Sequence, residues 1–270
     1  MKKMLTTLAT VATLASTTLS AHFVRVEMGG GMWNQTAKGY FQYEKKNIQP
    51  LPGIPLGDGG TATATDTSQE VAYSNPYFWA YIKHPLPIIP NLRVEYSQIE
   101  SDGILEVTGQ MYGIKSAGTK VPTHLKLTQM EAIPYYNLLD NTFWITVDVG
   151  LAVKLIHYEA NGGDTTNGIT YDESGDIPLP LLYTRLRVQP PLTNLGVEAI
   201  VKYISDGDKN TVSDMMVKVD YTFDMIPLVQ PGIEVGYRVM SLDIDVQDGD
   251  DRTISSYDFA GAYGGLMLRF

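Results

Sequence analysis

Thirteen consecutive residues, Phe143 to Leu155 (F-W-I-T-V-D-V-G-L-A-V-K-L), alternate between two kinds of side chain. Phe143, Ile145, Val147, Val149, Leu151, Val153 and Leu155 fall on one face. Trp144, Thr146, Asp148, Gly150, Ala152 and Lys154 fall on the other. A period of two places successive side chains on opposite faces of a strand, so this stretch is extended with one apolar face. It is also about twice the usual strand length of about five or six residues in soluble proteins. A long strand with one fully apolar face needs either a packed sheet or a lipid surface to cover it.

The same pattern recurs along the chain. Val24, Val26, Met28 and Met32 oppose Arg25, Glu27, Gly29 and Gly31. Leu92, Val94 and Tyr96 oppose Arg93 and Glu95. Leu195, Val197, Ala199, Val201 and Tyr203 oppose Glu198 and Lys202. Val217, Val219, Tyr221 and Phe223 oppose Lys218, Asp220 and Asp224. Ile233, Val235, Tyr237 and Val239 oppose Glu234 and Arg238, and Arg185 and Arg187 share a polar face in L-L-Y-T-R-L-R-V. Three segments are less regular. Tyr77–Lys83 is apolar on both faces. Val121–Leu139 changes phase between Leu127 and Met130 and carries Pro134, which predicts a bulge. The strand after Pro231 slips phase near Ser241.

Connections alternate in length. Short ones at 84–90, 139–141, 190–194 and 224–231 are built on Pro, Asn and Asp, which set turn geometry. Long or acidic ones fall at 38–74, 101–119, 159–178, 205–211 and 245–254, the first rich in Gly, Pro and Thr and expected to be unstructured. Five long and four short connections join ten strands, with both termini on the short-turn side. The expected fold is all-β: an antiparallel up-and-down transmembrane β-barrel of about ten strands, with short periplasmic turns and long external loops. No run of about eighteen apolar residues follows the N-terminal segment, so a helical span is excluded and a closed barrel is the remaining way across a membrane.

The termini agree. Lys2 and Lys3 precede a mildly apolar stretch from Met4 to about Ala15 and small residues at Ser20 and Ala21, the pattern of a secretory signal peptide over 1–21. A single barrel domain over 22–270 follows. The chain has no cysteine, so neither disulfides nor thiol chemistry is available. Its formal net charge of -10 becomes -12 once Lys2 and Lys3 are removed, which argues against a nucleic-acid partner.

The last eight residues are Y-G-G-L-M-L-R-F. Leu266, Leu268 and Phe270 share one face, Met267 and Arg269 the other. Tyr263, Gly265, Leu268 and Phe270 resemble the C-terminal β-signal read by the barrel assembly machinery of outer membranes. H-P-L-P-I-I-P-N-L-R (84–93), Y-Y-N-L-L-D-N (135–141), V-D-V-G-L-A-V-K (147–154) and the pair Gly264–Gly265 resemble a family of small, poorly characterised bacterial outer-membrane β-barrel proteins marked by a Gly-Gly pair near the C-terminus. That resemblance implies location and fold, with outer-membrane lipids, lipopolysaccharide and the assembly machinery as partners. It implies no activity for any residue.

Expected function follows from the inward face. Basic candidates there are Arg25, Arg93, Lys154, Arg185, Arg187, Lys202, Lys218, Arg238 and Arg269. Acidic ones are Glu27, Glu95, Asp148, Glu198, Asp220, Asp224 and Glu234, with Glu131 as a further candidate. Near-balanced charges in a barrel this narrow should pair and close it. Tyr77, Phe78, Trp79, Tyr81, Tyr135, Tyr136, Phe143, Trp144, Tyr221, Phe223 and Tyr257 are expected to form interfacial girdles. Acidic residues crowd two loops: Glu159, Asp164, Asp172, Glu173 and Asp176 in one, Asp245, Asp248, Asp250 and Asp251 in the other. The second lacks the spacing of an EF-hand, so no metal or cofactor is assigned. The expectation is a non-enzymatic surface or structural barrel, or a small-solute channel. The alternative is a rim hydrolase using His157 with a nearby carboxylate. The Asp/His pairing of omptin-type proteases and the Ser-His arrangement of outer-membrane lipid hydrolases are not met. His22, His84 and His124 have no metal-ligand spacing.

Overall fold

The computed structural model describes residues 24–45, 59–66, 72–86, 88–110, 119–164, 169–224, 229–248 and 251–270. The signal segment at 1–21 lies outside them. All eleven regular elements among the described residues are strands: β1 (Arg25–Lys45), β2 (Gly59–Asp66), β3 (Tyr73–Lys83), β4 (Asn91–Gln110), β5 (Thr119–Thr142), β6 (Ile145–Asp164), β7 (Ile169–Val188), β8 (Leu195–Ser205), β9 (Thr211–Thr222), β10 (Gln230–Asp248) and β11 (Asp251–Arg269). No helix among the described residues is long and apolar enough to cross a membrane.

Each strand pairs antiparallel with its neighbour, and β11 closes on β1 from Glu27↔Arg269 to Lys45↔Asp251. β2 and β3 both lie between β1 and β4, β2 against the outer part of each and β3 against the inner part. They are two pieces of one wall position, so the eleven strands make a closed barrel of ten positions. At the seam the backbone amide of Phe270 donates to the Val26 carbonyl at 2.9 Å.

Alternation sets the wall. On β8, Leu195, Val197, Val201 and Tyr203 are exposed outward while Gly196, Glu198, Ile200 and Lys202 are buried inward. The outward faces of β6, β9 and β10 add Val153, Leu155, Met215, Val217, Ile233 and Val235, and together these make an apolar belt. Leu266, Leu268 and Phe270 join it from the last strand. Exposed apolar side chains in such a band are stable only against lipid.

Several expectations change. Most of the described residues in the long connections are strand. β1 runs on to Lys45, β2 occupies 59–66 inside the segment expected to be unstructured, and β6–β7 and β10–β11 stay paired to Asp164↔Ile169 and Asp248↔Asp251. A strand of about 20 residues is about 65 Å long, and tilted by about 40° it rises about 50 Å, twice the about 25 Å apolar band. The hairpins therefore continue the wall well past the membrane. The expected turn at 139–141 is displaced: Phe143 and Trp144 form it, both with positive φ (51° and 70°), after register shifts at Asn137/Leu139 and Leu139/Thr142. No bulge sits at Pro134, since Ala132↔Val153 and Tyr135↔Gly150 keep one register across it. Nor does β10 slip near Ser241. Both apparent slips have one cause. Leu127, Met240 and Leu242 are inward and buried, because the lumen itself turns apolar at their level.

Candidate functional site

Above its open periplasmic mouth the lumen is filled. Nine basic side chains (Arg25, Arg93, Lys154, Arg185, Arg187, Lys202, Lys218, Arg238, Arg269) and eight acidic ones (Glu27, Glu95, Glu131, Asp148, Glu198, Asp214, Asp220, Glu234) form the plug's ion pairs among the described residues. Strand period puts them there. Each is an alternate residue on its strand, and the apolar residues between them face lipid.

Two connected layers are visible. Nearer the periplasmic mouth, Arg187 grips Asp220 with two parallel bonds of 2.6 and 2.9 Å. Arg269 reaches the same carboxylate at 2.8 Å. Arg185 donates to Asp148 at 2.6 Å and to Glu198 at 2.8 Å. Lys218 donates to Glu234 at 2.8 Å and stands 4.1 Å over the Trp79 ring. Glu234 also accepts from Tyr77 and from the Trp79 indole, at 2.7 and 2.8 Å. Further out, Lys202 bridges Glu95 (2.5 Å) and Glu131 (2.7 Å). Lys154 bridges Glu131 (3.0 Å) and Asp214 (2.7 Å). Arg238 holds Asp214 with two bonds of 2.8 and 2.6 Å. Bidentate guanidinium–carboxylate pairs fix orientation as well as charge. Lys154, Lys202 and Asp214 are 0% exposed, and Lys202 on β8 reaches Glu95 on β4 across the lumen.

Above the charges lies an apolar layer of Trp33, Ile99, Leu127, Ile156, Leu181, Met240 and Phe259, while Ile200 sits among the charges, between Glu198 and Lys202 on β8. Ile99, Leu181, Ile200, Met240 and Phe259 have no solvent exposure. Two glycines make the close approaches possible. A Cβ at Gly29 would lie 2.7 Å from the Trp79 indole, and one at Gly196 would lie 2.2 Å from Arg187 Nη2.

Every residue expected in the lumen charge network has its side chain inward, except that Asp224 is exposed in the turn after β9. Asp214, the acceptor shared by Lys154 and Arg238, was not expected. It stands two and three alternations before Lys218 and Asp220 on the same face of β9, and the signal was the phase of V-S-D-M-M-V-K, masked by two methionines. The girdle expectation is corrected in part. Tyr77, Trp79, Tyr81, Tyr135 and Tyr257 point into the lumen, whereas Tyr136, Tyr221 and Phe223 are outside. Of the C-terminal signal, Tyr263 is inward and edge-on to Tyr77, Gly265 sits opposite Gly31, and Leu268 and Phe270 face outward.

At the outer rim His157 Nδ1 lies 2.9 Å from Asp176 Oδ1. His124 Nδ1 lies 2.8 Å from Asp102 Oδ1, and Asp102 also accepts from Tyr73. Both pairs are on the outward face, partly exposed. His157 has no second hydrogen-bond partner among the described residues. Glu159 pairs with Lys126 at 3.0 Å. Asp245 is held by Arg252 at 2.7 Å and Lys209 at 3.2 Å. No three His, Asp or Glu are grouped to hold a metal among the described residues, and Asp250 lies outside them.

No protein-family model and no curated protein sequence matches the chain. Solved structures do match. The translocator domain of the autotransporter NalP from Neisseria meningitidis is 13% identical with a TM-score of 0.37, covering 97% of this chain and 95% of that one. The outer membrane protein OprG from Pseudomonas aeruginosa is 10% identical with a TM-score of 0.33, covering 91% and 95%. A FadL homologue from Pseudomonas aeruginosa is 10% identical with a TM-score of 0.26, covering 92% and 90%. At these identities no residue and no role carries across to this chain.

Proposed function

We propose that the chain is an integral outer-membrane β-barrel, closed at rest and non-enzymatic, that works through its wall and its long outer hairpins. Export by the N-terminal segment and insertion by the barrel assembly machinery, guided by Tyr263, Gly265, Leu268 and Phe270, belong to the same reading. So does contact of the rim charges with lipopolysaccharide. The observation that carries it is the plug. Lys154, Lys202 and Asp214 sit at 0% exposure beneath an apolar layer that is equally closed. Water and ions need a continuous polar path, and a paired, desolvated charge layer capped by Ile, Leu and Met offers none.

Single-channel recording on the refolded mature protein tests this, with a heat-modifiable band on a gel as proof of folding. Silence from the folded protein is expected. Arg185→Ala with Arg187→Ala should then lower the melting temperature, because Asp148, Glu198 and Asp220 each lose a charged partner, yet leave the protein silent, because the outer charge layer and the apolar layer stay in place. Steady discrete steps from the unaltered protein would make it a solute channel and sink the closed reading.

A further inference from the structure

At the periplasmic mouth, beneath the plug, the barrel holds an open cavity of about 350 Å³. Its lining carries four cations, Arg25, Lys83, Arg185 and Arg187, against one carboxylate, Asp140. The carboxylates that partner the two deeper arginines, Asp148, Glu198 and Asp220, stand behind them and off the lining. Arg187 Nε is buried with no hydrogen-bond partner.

Arg25 and Lys83 are directly opposite each other across β1 and β3. Like charges in that position repel, and sheets ordinarily avoid them. The neighbouring pair at the same end, Glu27 and Arg269 across β1 and β11, is of opposite sign, as expected for a sheet left to itself. Glu27 and Asp140 each take one of the two cations, but both Arg25 and Lys83 keep solvent access, and both still face the cavity. Tyr81, Tyr135 and Trp144 line the same cavity, with Pro190, Pro191 and Leu192 completing its apolar wall.

We propose that this vestibule binds a small carboxylate carried on a flat apolar body, with the carboxylate between Arg25 and Lys83 and the body against Tyr135 and Trp144. The volume suits one small molecule. A carboxylate between the two cations relieves their repulsion and takes up charge-assisted donors. Guanidinium and ammonium groups at an open mouth also draw anions from the periplasm, an effect that salt screens. The site does not depend on whether the lumen conducts.

Isothermal titration calorimetry on the folded barrel in micelles, with a micelle blank subtracted, tests this with three probes. Benzoate is expected to bind saturably. Acetate, which lacks the flat body, should bind at least about tenfold more weakly, and benzamidinium, the same shape with the opposite charge, should not bind. Arg25→Gln with Lys83→Gln should weaken benzoate at least about tenfold, the cost of charged hydrogen bonds, while the heat-modifiable band persists. Failure of benzoate to saturate, equal binding of benzoate and benzamidinium, or an unchanged benzoate affinity in the folded double variant would each overturn the proposal. The charge comparison uses only the unaltered protein, so it stands even if the variant does not fold.

Discussion

Removing the Asp214 carboxylate should damage this barrel more than any other single charge change. Asp214 is 0% exposed and accepts from Lys154 at 2.7 Å and from Arg238 at 2.8 and 2.6 Å. Lys202 lies 3.5 Å away. Asp214→Asn keeps the shape but strips the charge from beneath three cations that have no water to turn to. Breaking one partner out of a buried pair costs about 3–5 kcal/mol, mostly the penalty of the charge left behind. Here Glu131 remains within reach of Lys154 and Lys202, so the lower part of that range, about 3 kcal/mol, is expected. Lys126→Ala, which breaks the exposed pair with Glu159, should by contrast cost at most about 1 kcal/mol. The assay is equilibrium unfolding of the refolded barrel by denaturant in lipid vesicles, read by tryptophan fluorescence, with both variants measured side by side. A double variant with Lys154→Met should cost less than the two single changes added, because each leaves the other's charge stranded. If Asp214→Asn and Lys126→Ala shifted the midpoint equally, the buried network would contribute no more than a surface pair, and the account of the plug would be wrong.

Two further outcomes are expected. In the turn between β8 and β9 the backbone amide of Asp208, then the side-chain and backbone amides of Asn210, hold the Asp206 carboxyl below its usual range. A depressed carboxylate contributes order that is present above its unfolded value near 3.8 and is lost as pH falls through its folded value, so the protection of the Asp208 and Asn210 amides relative to the free-peptide exchange rate should hold at pH 4 and fall away below it; Asp206→Ala should remove that protection at every pH. Gly196→Ala places a methyl 2.2 Å from Arg187 Nη2 and 2.9 Å from Asp220 Oδ2, so it should destabilise the barrel by about 1–3 kcal/mol, as overpacking does, whereas the same change at Gly264, whose nearest neighbour is 3.5 Å away, should be tolerated.

The lower lumen and the membrane belt were readable from the sequence because there the two faces of each strand differ in chemistry. Arg185 and Arg187, or Glu198 and Lys202, stand out against the Leu and Val between them. The upper lumen was not readable for the complementary reason. At Leu127, Met240 and Leu242 the inward residue is apolar too, so the alternation of polarity vanishes while the alternation of geometry continues. Taking polar for inward then mistakes the start of an apolar layer for a bulge or a slip. Tyr81 and Tyr135 were misplaced in the same way, since an aromatic ring suits a membrane interface and a cation-lined lumen alike, and Arg185 indeed lies 5.3 Å over the Tyr81 ring. The strand extensions were hidden by composition. Gly59–Asp66 reads G-G-T-A-T-A-T-D, five of whose residues (Gly, Ala and Asp) are poor strand formers, yet it is flanked on both sides by longer strands that offer it a ladder.

Sequence separation within the plug bears on how the barrel is made. Lys202 and Glu95 are 107 residues apart, and Trp79 and Glu234 are 155 apart. Neither contact can form within a hairpin, and both span the lumen rather than a shared ladder. An open sheet, even with every hairpin paired, would carry Lys202, Lys154, Asp214 and Arg238 with part of their partners missing. Only closure of β1 on β11 brings the wall round far enough to satisfy all of them at once. The plug therefore rewards the closed barrel and penalises every partly closed one, which makes closure an all-or-none step. This has a kinetic corollary for Asp214→Asn. Because its contacts with Lys154 and Arg238 include one 60 residues away, which is formed only as the barrel rounds up, the change should leave hairpin formation intact and slow or reverse the final closure.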